Sequence, residues 1–189
     1  THSGTFALAD VEGRRVARAT YVTGAQDGNG VGKIYRDLPT RPSEVYIRFD
    51  VMRSANWSPH PVLDKAGYLH GAQDPTGGGP VFWGFGRDTF WVYRQGPEIG
   101  NSNYGPNRAN VSVAPGQWAT VEMRFVGGSG NGQVHVWING QKTHEYTDIN
   151  WGSSTWDAFN GDPIWGGNMG IFVPQTMYMY FDNAYLSGR

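Results

Sequence analysis

The length, charge and composition of the chain exclude several classes of protein. The 189 residues are enough for one domain with its own core, and we expect a single domain over residues 1–189. The chain has 15 lysine and arginine residues and 16 acidic residues without blocks of like charge, which argues against a nucleic-acid partner. No apolar run reaches the ~20 residues of a membrane span. The absence of cysteine excludes disulfides and thiolate metal sites.

The surface is expected to be polar but weakly charged. Charged residues make up 16% of the chain, below the ~25% that is usual, while aromatic residues reach 14%. Amides and hydroxyls can bind sugar hydroxyls, and flat rings can cover sugar C–H groups, so a polysaccharide or oligosaccharide is the expected partner. Extracellular β-proteins share this composition without binding sugar. Both interpretations are consistent with a secreted protein.

Short alternating segments recur between glycine- and proline-rich turns, and no segment keeps a helical period. This pattern is typical of an antiparallel β-sandwich or barrel. In residues 44–51, alternation places Ile47 on one face and Tyr46 and Arg48 on the other. The predicted strands are residues 6–9, 15–22, 32–35, 44–51, 81–85, 89–94, 111–113, 118–126, 133–138, 141–146, 169–173 and 177–186.

Two segments between these strands are predicted to be loops with functional residues. The first follows residues 44–51 and contains Lys65, Tyr68 and His70 among glycines and prolines. The second covers residues 150–167 and contains three tryptophans. Loops on a rigid sheet commonly carry binding or catalytic residues. Asn139 and Gly140, in contrast, predict a tight type I′ hairpin between residues 133–138 and 141–146.

Five segments together resemble a known fold family. They are YIRFDV, DKAGYLHG, GQWATVEMRF, VHVWINGQ and YMYFDNAYLSG. In this order they resemble concanavalin A-like jelly-roll domains, and among these most closely polysaccharide lyases of the alginate and glucuronan lyase type. The resemblance covers most of the chain and implies an all-β fold, an antiparallel β-sandwich with a polysaccharide groove on one sheet. Similar series of motifs occur in lectin-like modules that only bind.

The resemblance also implies a reaction. Lyases of this type neutralise a uronate carboxylate, remove the proton at C5 and break the bond at C4 by β-elimination. Lys65 is similar to the lysine of the GGKLPGLYGG-like loop of these enzymes, and Tyr68 and His70 follow it, so the resemblance implies that the base and acid are among these three. Arg48 is expected to neutralise the carboxylate. The alternatives are that Lys65 is a solvated lysine, that His70 is structural, and that Arg48 pairs across strands with an acid such as Asp50 or Glu122. The chain departs from the loop's pattern by having Asp64 after Leu63 in place of a glycine pair.

Further side chains are candidates for substrate binding, and for each of them packing or strand pairing is the alternative. They are aromatic, basic or histidine residues on predicted strands, together with one loop tryptophan. The candidates are Tyr46, Trp83, Tyr93, Arg94, His135, Trp137 and Trp165.

A structural calcium ion is the one cofactor that the resemblance suggests. Domains of this fold often hold such an ion near the N-terminal strands, and Asp182 resembles a residue at that position. The alternative is that Asp182 caps a turn or faces solvent. The five histidines are scattered, which argues against a transition-metal site. We expect a monomer.

Three functions therefore stay open besides a lyase. A non-catalytic carbohydrate-binding module would use the rings alone. A glycoside hydrolase would need two carboxylates roughly 5–10 Å apart, for which Asp50 and Glu122 are the candidates. A structural or interaction domain would bind no sugar at all.

Overall fold

The protein is an antiparallel β-sandwich, as predicted. A computed structural model describes residues 4–71, 81–95 and 102–189. No helix within these residues has the length and apolar character needed to cross a membrane. The strands are β1 (Gly4–Val11), β2 (Arg14–Tyr21), β3 (Ile34–Asp37), β4 (Glu44–Arg53), β5 (Asp64–Gly71), β6 (Val81–Gly86), β7 (Thr89–Arg94), β8 (Ser102–Tyr104), β9 (Ala119–Val126), β10 (Gly128–Ile138), β11 (Gln141–Ser153), β12 (Trp156–Gly161), β13 (Ile164–Trp165) and β14 (Met177–Gly188).

These strands form two sheets with crossover connections between them. The first sheet has the order β1-β2-β14-β4-β9-β10-β11, and the second has the order β3-β12-β5-β6-β7-β8 with the short β13 beside β5. Because β14 at the end of the chain pairs with both β2 and β4, the C-terminal strand lies in the middle of the first sheet. The central strand β5 of the second sheet pairs with β6 and β12.

The core between the sheets is built by the predicted alternation. In β9, Val121, Met123 and Phe125 are fully buried, while the residues between them face outward. The second sheet contributes large rings to the same core, among them Trp83 and Phe90. Each strand therefore has an inner face in the core and an outer face that is available for other contacts.

Several predictions of local structure were wrong. Residues 64–71 and 156–161, which were predicted to lie in loops, are strands β5 and β12, and the second predicted loop also contains the end of β11 and the short β13. The sequences of β5 and β12 do not alternate regularly, because each strand contains a register irregularity, next to Ala66 in β5 and next to Asp157 in β12. Conversely, residues 111–113 and 169–173 are not strands; Phe172 forms only an isolated bridge with Gln26.

The predicted hairpin at Asn139 and Gly140 is confirmed. These two residues join β10 to β11 and have φ angles of 51° and 76°. Positive φ at both central positions is what a type I′ turn requires. Glu12 and Gly13, with φ angles of 50° and 76°, join β1 to β2 in the same way.

A buried polar cluster fixes the start of β5. Asp64 is fully buried and accepts hydrogen bonds from Trp57 Nε1 at 2.7 Å and from the backbone nitrogen of His60 at 3.0 Å. The Arg53 guanidinium lies 3.6 Å from the same carboxylate. Asp64 stands where the resemblance would place a glycine, so this carboxylate has a structural role that orders the segment directly before Lys65.

Candidate functional site

Strand β5 presents Lys65, Tyr68 and His70 on the outer face of the second sheet. Positions 65 and 68 would lie on opposite faces of a regular strand, because side chains alternate. The register irregularity between Lys65 and Gly67 adds one residue, Ala66, which lines the interior instead. A β-bulge re-aims the following side chains in this way. We call this outer surface around β5 the candidate face.

Aromatic rings of β6 and β7 continue the candidate face. Phe82 stacks on Tyr93 with ring centroids 5.1 Å apart and lies 5.8 Å from Tyr68. Lys65 Nζ lies 5.3 Å from the Phe82 ring centroid, and Trp91 lies 6.2 Å from Tyr93. Phe82 itself is buried under these neighbours. Tyr68, Trp91 and Tyr93 stay partly exposed and can contact a ligand.

The other side of β5 is bordered by polar residues of β12. Asn160 pairs directly with Tyr68, and Ala158 pairs with His70. The Oδ1 atoms of Asn160 and Asp157 are buried and form no hydrogen bond with any residue that the structure describes. Buried polar atoms are nearly always paired in native proteins, so such oxygens indicate capacity to bind a ligand hydroxyl or a water molecule.

The electrostatic environment gives the three side chains different protonation preferences. Burial lowers the pKa of His70, although Asp157 opposes this, so its imidazole is mainly neutral near pH 7. Burial also lowers the pKa of Lys65, against the attraction of Asp162. Burial and the charge of Asp162 raise the pKa of Tyr68, which keeps its phenol protonated. A neutral imidazole can accept a proton, and a phenol next to it can donate one.

Four predicted site residues lie on the opposite surface of the protein. Arg48 and Tyr46 are on the outer face of β4, and His135 and Trp137 are on the outer face of β10, all in the first sheet. The Tyr46 hydroxyl donates to Glu122, and burial together with Glu122 raises the pKa of Tyr46 to about 12. The structure therefore does not bring these residues together with Lys65, Tyr68 and His70.

Three other candidates are buried and have structural partners. Trp83 is 0% exposed and stacks on Phe159 in the core at 6.1 Å. Arg94 points inward, where it donates to the Asn150 carbonyl and to Ser102 Oγ at 3.2 Å. Trp165 donates from Nε1 to the Ser58 carbonyl at 2.8 Å. Among the predicted binding residues, only Tyr93 lies on the candidate face.

Asp182, the predicted calcium ligand, lies beside Asp50 on the first sheet. Arg14 is 3.6 Å from Asp182 and 3.4 Å from Asp50, and Asp50 also accepts from Thr120 at 2.7 Å and from Asn183 at 2.8 Å. Arg14 thus already supplies positive charge there. The described residues contain no group of three or more candidate metal ligands. Calcium binding stays a prediction, and no step of the proposed chemistry depends on it.

Sequence analysis did not identify three polar residues at the site. Asp157, Asn160 and Asp162 fall in the segment predicted to be a loop, and the irregular register of β12 hides its strand pattern. The stretch of aspartate and asparagine between Trp156 and Trp165 was the available signal. Only the pairing of β12 with β5 shows which side chains meet.

Comparisons with known proteins agree with this architecture. The alginate lyase vAL-1 from Chlorella virus superposes with a TM-score of 0.64 at 17% identity, covering 100% of this chain and 90% of the other. The alginate lyase Aly36B gives 0.64 at 17% identity with 90% and 80% coverage, and the cellulose-induced protein Cip1 gives 0.63 at 15% identity with 98% and 86% coverage. At these identities the likeness shows the fold, and it confirms the predicted jelly roll.

Sequence comparison identifies the family. No curated protein matches the chain in sequence. A family described as the 3-keto-alpha-glucoside-1,2-lyase-like domain matches residues 20–184, which include every strand of the second sheet and therefore the whole candidate face. The match spans most of the 189 residues. The chain belongs to the family of 3-keto-alpha-glucoside-1,2-lyase-like domains.

Proposed function

We propose that this protein is a sugar lyase that breaks a glycosidic bond by β-elimination next to a carbonyl group. The observation that carries the proposal is the placement of Lys65, Tyr68 and His70 on one face of β5. Tyr68 and His70 are two positions apart, so their Cα atoms are about 7 Å apart along the strand. A sugar ring lying across the strand can meet a base on one side and an acid on the other.

The substrate proposed is a 3-keto-α-glucoside. In such a sugar the C3 carbonyl acidifies the proton on C2. His70 accepts this proton, and the electron pair moves to the carbonyl oxygen to give an enolate, which the Lys65 ammonium stabilises. The carbonyl then re-forms, a double bond forms between C1 and C2, and the bond from C1 to the glycosidic oxygen breaks. Tyr68 donates its proton to the departing oxygen. The products are an unsaturated keto sugar and a free alcohol.

The charges near the site favour this substrate over a uronate. Elimination from a uronate needs a positive charge beside the carboxylate. Arg48, the expected partner of that carboxylate, lies on the other sheet, which leaves Lys65 as the positive charge in this group of side chains. The charges that act on His70 and Tyr68 include those of Asp157 and Asp162, and these would repel a second carboxylate. A keto sugar is neutral and avoids this repulsion. The family description supports the same choice.

The test compares substrates and two pairs of variants. The protein is incubated with a 3-keto-α-glucoside, the parent α-glucoside, alginate and glucuronan, and unsaturated products are followed by ultraviolet absorbance and mass spectrometry. We expect turnover of the keto sugar alone. His70→Asn and Tyr68→Phe should each lower kcat by about 10²- to 10⁴-fold. His135→Asn and Tyr178→Phe make the same changes on the first sheet and should leave kcat unchanged.

Two outcomes would contradict the proposal. If the alginate or glucuronan is cleaved and the keto sugar is not, the protein is a uronate lyase. If His135→Asn and Tyr178→Phe lower kcat as much as His70→Asn and Tyr68→Phe, the candidate face does not carry the reaction.

A carbohydrate-binding module is the second candidate, favoured by the partly exposed rings of Tyr93 and Trp91, which lie 6.2 Å apart on the same face. Rings at such a spacing can contact neighbouring sugar units. This function predicts retention on a glycan without turnover of any substrate, and binding that is unaffected by His70→Asn.

A further inference from the structure

A cavity between the two sheets is separate from the candidate face. It has a volume of ≈ 380 Å³ and is walled by inner-face residues of both sheets, including Ile47 and Phe49 from β4 and Trp83 and Phe159 from β6 and β12. Ile34, which is 51% exposed, and the exposed Ala184 also line it, so the cavity opens to solvent on that side. Protein interiors are normally close-packed, and a space of this size is unusual.

The volume is sufficient for a small ligand. An apolar cavity of about 150 Å³ already accepts benzene, and pockets that bind small molecules begin at about 300 Å³. The lining is mostly apolar and aromatic, as in such pockets. The apolar part of a ligand would therefore gain from entering the cavity because it leaves water.

The positive charge of the cavity lining indicates that the polar part of the ligand is an anion. One cationic side chain is directed to the cavity: Arg36 of β3 pairs with the inward-facing Phe159 of β12 and lines the cavity, and the described lining residues include no acidic side chain. Arg36 forms no ion pair with a residue that the structure describes. Guanidinium groups bind carboxylates through charge-assisted hydrogen bonds. A carboxylate held at Arg36 would leave an attached apolar chain or ring to fill the cavity.

We propose that the inter-sheet cavity binds an amphipathic carboxylate, with its apolar body between the sheets and its carboxylate at Arg36. This site does not overlap the candidate face. Phe159, which lines the cavity, and Asn160, which borders the candidate face, are consecutive residues that point to opposite sides of β12.

Binding is tested on the full chain by titration calorimetry with three probes of equal chain length: decanoate, decanol and decyltrimethylammonium. We expect saturable 1:1 binding of decanoate, with weaker binding of decanol and none of the cation. Arg36→Gln should weaken decanoate binding by roughly tenfold without changing decanol binding. Arg15→Gln removes the same charge from an exposed arginine that pairs with Asp10, outside the cavity, and serves as the control.

A second variant tests the location. Ala184 is exposed and lines the cavity, so Ala184→Trp should fill the space from its rim and abolish binding of both decanoate and decanol. Circular dichroism and the melting temperature confirm that each variant is folded. The proposal is overturned if decanoate shows no saturable binding, if the three probes bind equally, or if Arg36→Gln and Ala184→Trp bind decanoate like the unchanged protein. Lyase turnover is not part of this readout, so failure here leaves the proposed reaction unaffected.

Discussion

At the scale of single residues, burial rather than chemical type separates the roles of similar side chains. His70 and His144 are both histidines with a lowered pKa. His70 stays partly exposed on the candidate face, whereas His144 is 0% exposed and sits edge-on to Phe90 in the core. A partly exposed neutral imidazole can exchange a proton with a substrate. A fully buried one affects only stability.

His144 should make the protein sensitive to acid. Burial lowers its pKa to about 4, against an ordinary value near 6.5 in the unfolded chain. The unfolded state therefore binds more protons between these values, and the free energy of unfolding should fall as pH decreases from about 6.5 to 4, by roughly 3 kcal/mol. Urea unfolding at several pH values would measure this slope. In His144→Leu the slope should be shallower by about that amount; equal slopes in both proteins would show that another group is responsible.

At the scale of elements, turns and bulges decide which side chains meet. The bulge at Ala66 moves Tyr68 to the same face as Lys65, and the type I′ turn at Asn139 and Gly140 fixes the register of β10 against β11. The position of the bulge depends on how β5 pairs with β6. The turn is encoded within two residues, because few residue types accept positive φ.

The turn provides a direct test of its backbone conformation. A Cβ added at Gly140 would have no atom within 4 Å, so Gly140→Ala changes the conformational preference without creating a clash. We expect the free energy of unfolding to fall by about 1 kcal/mol, because alanine disfavours the φ of 76°. Urea unfolding measures this change. Gln141→Ala alters the neighbouring exposed residue and should have a much smaller effect; comparable losses would contradict a special role for the glycine.

At the scale of the whole molecule, the sandwich separates two outer surfaces that both carry rings. Trp91 and Tyr93 lie on the second sheet with the catalytic candidates, while Trp137 and His135 lie on the first sheet with ring centroids 5.9 Å apart. Two sheets stacked about 10 Å apart cannot both contact one sugar ring. Only one of the two surfaces can serve the reaction.

The paired tryptophans can show which surface binds the substrate. Trp91→Ala should raise KM for the keto sugar several-fold and leave kcat nearly unchanged, since it removes a stacking contact and no reacting group. Trp137→Ala, on the first sheet, should change neither constant. Steady-state kinetics on both variants make the comparison, and a larger effect of Trp137→Ala would move the site to the other sheet.

The sequence by itself determined the class of fold, most of the strands and the conformation of one hairpin. Alternation in residues such as Val121, Met123 and Phe125 is a local property, and it decides which side of a strand is buried whatever its neighbours are. The likeness of five motifs to jelly-roll lyases added the topology. The likeness of the DKAGYLHG segment also led to the prediction that Lys65, Tyr68 and His70 act as one group.

Tertiary structure alone decided where the predicted site residues lie. Arg48 and Lys65 both face outward, but they belong to different sheets, and outward then means opposite surfaces. Asn160 reaches Tyr68 only because β12 pairs with β5, about 90 residues away in sequence. The physical reason is that alternation specifies a side of a strand, whereas the assignment of strands to sheets and their register are set by contacts between distant parts of the chain.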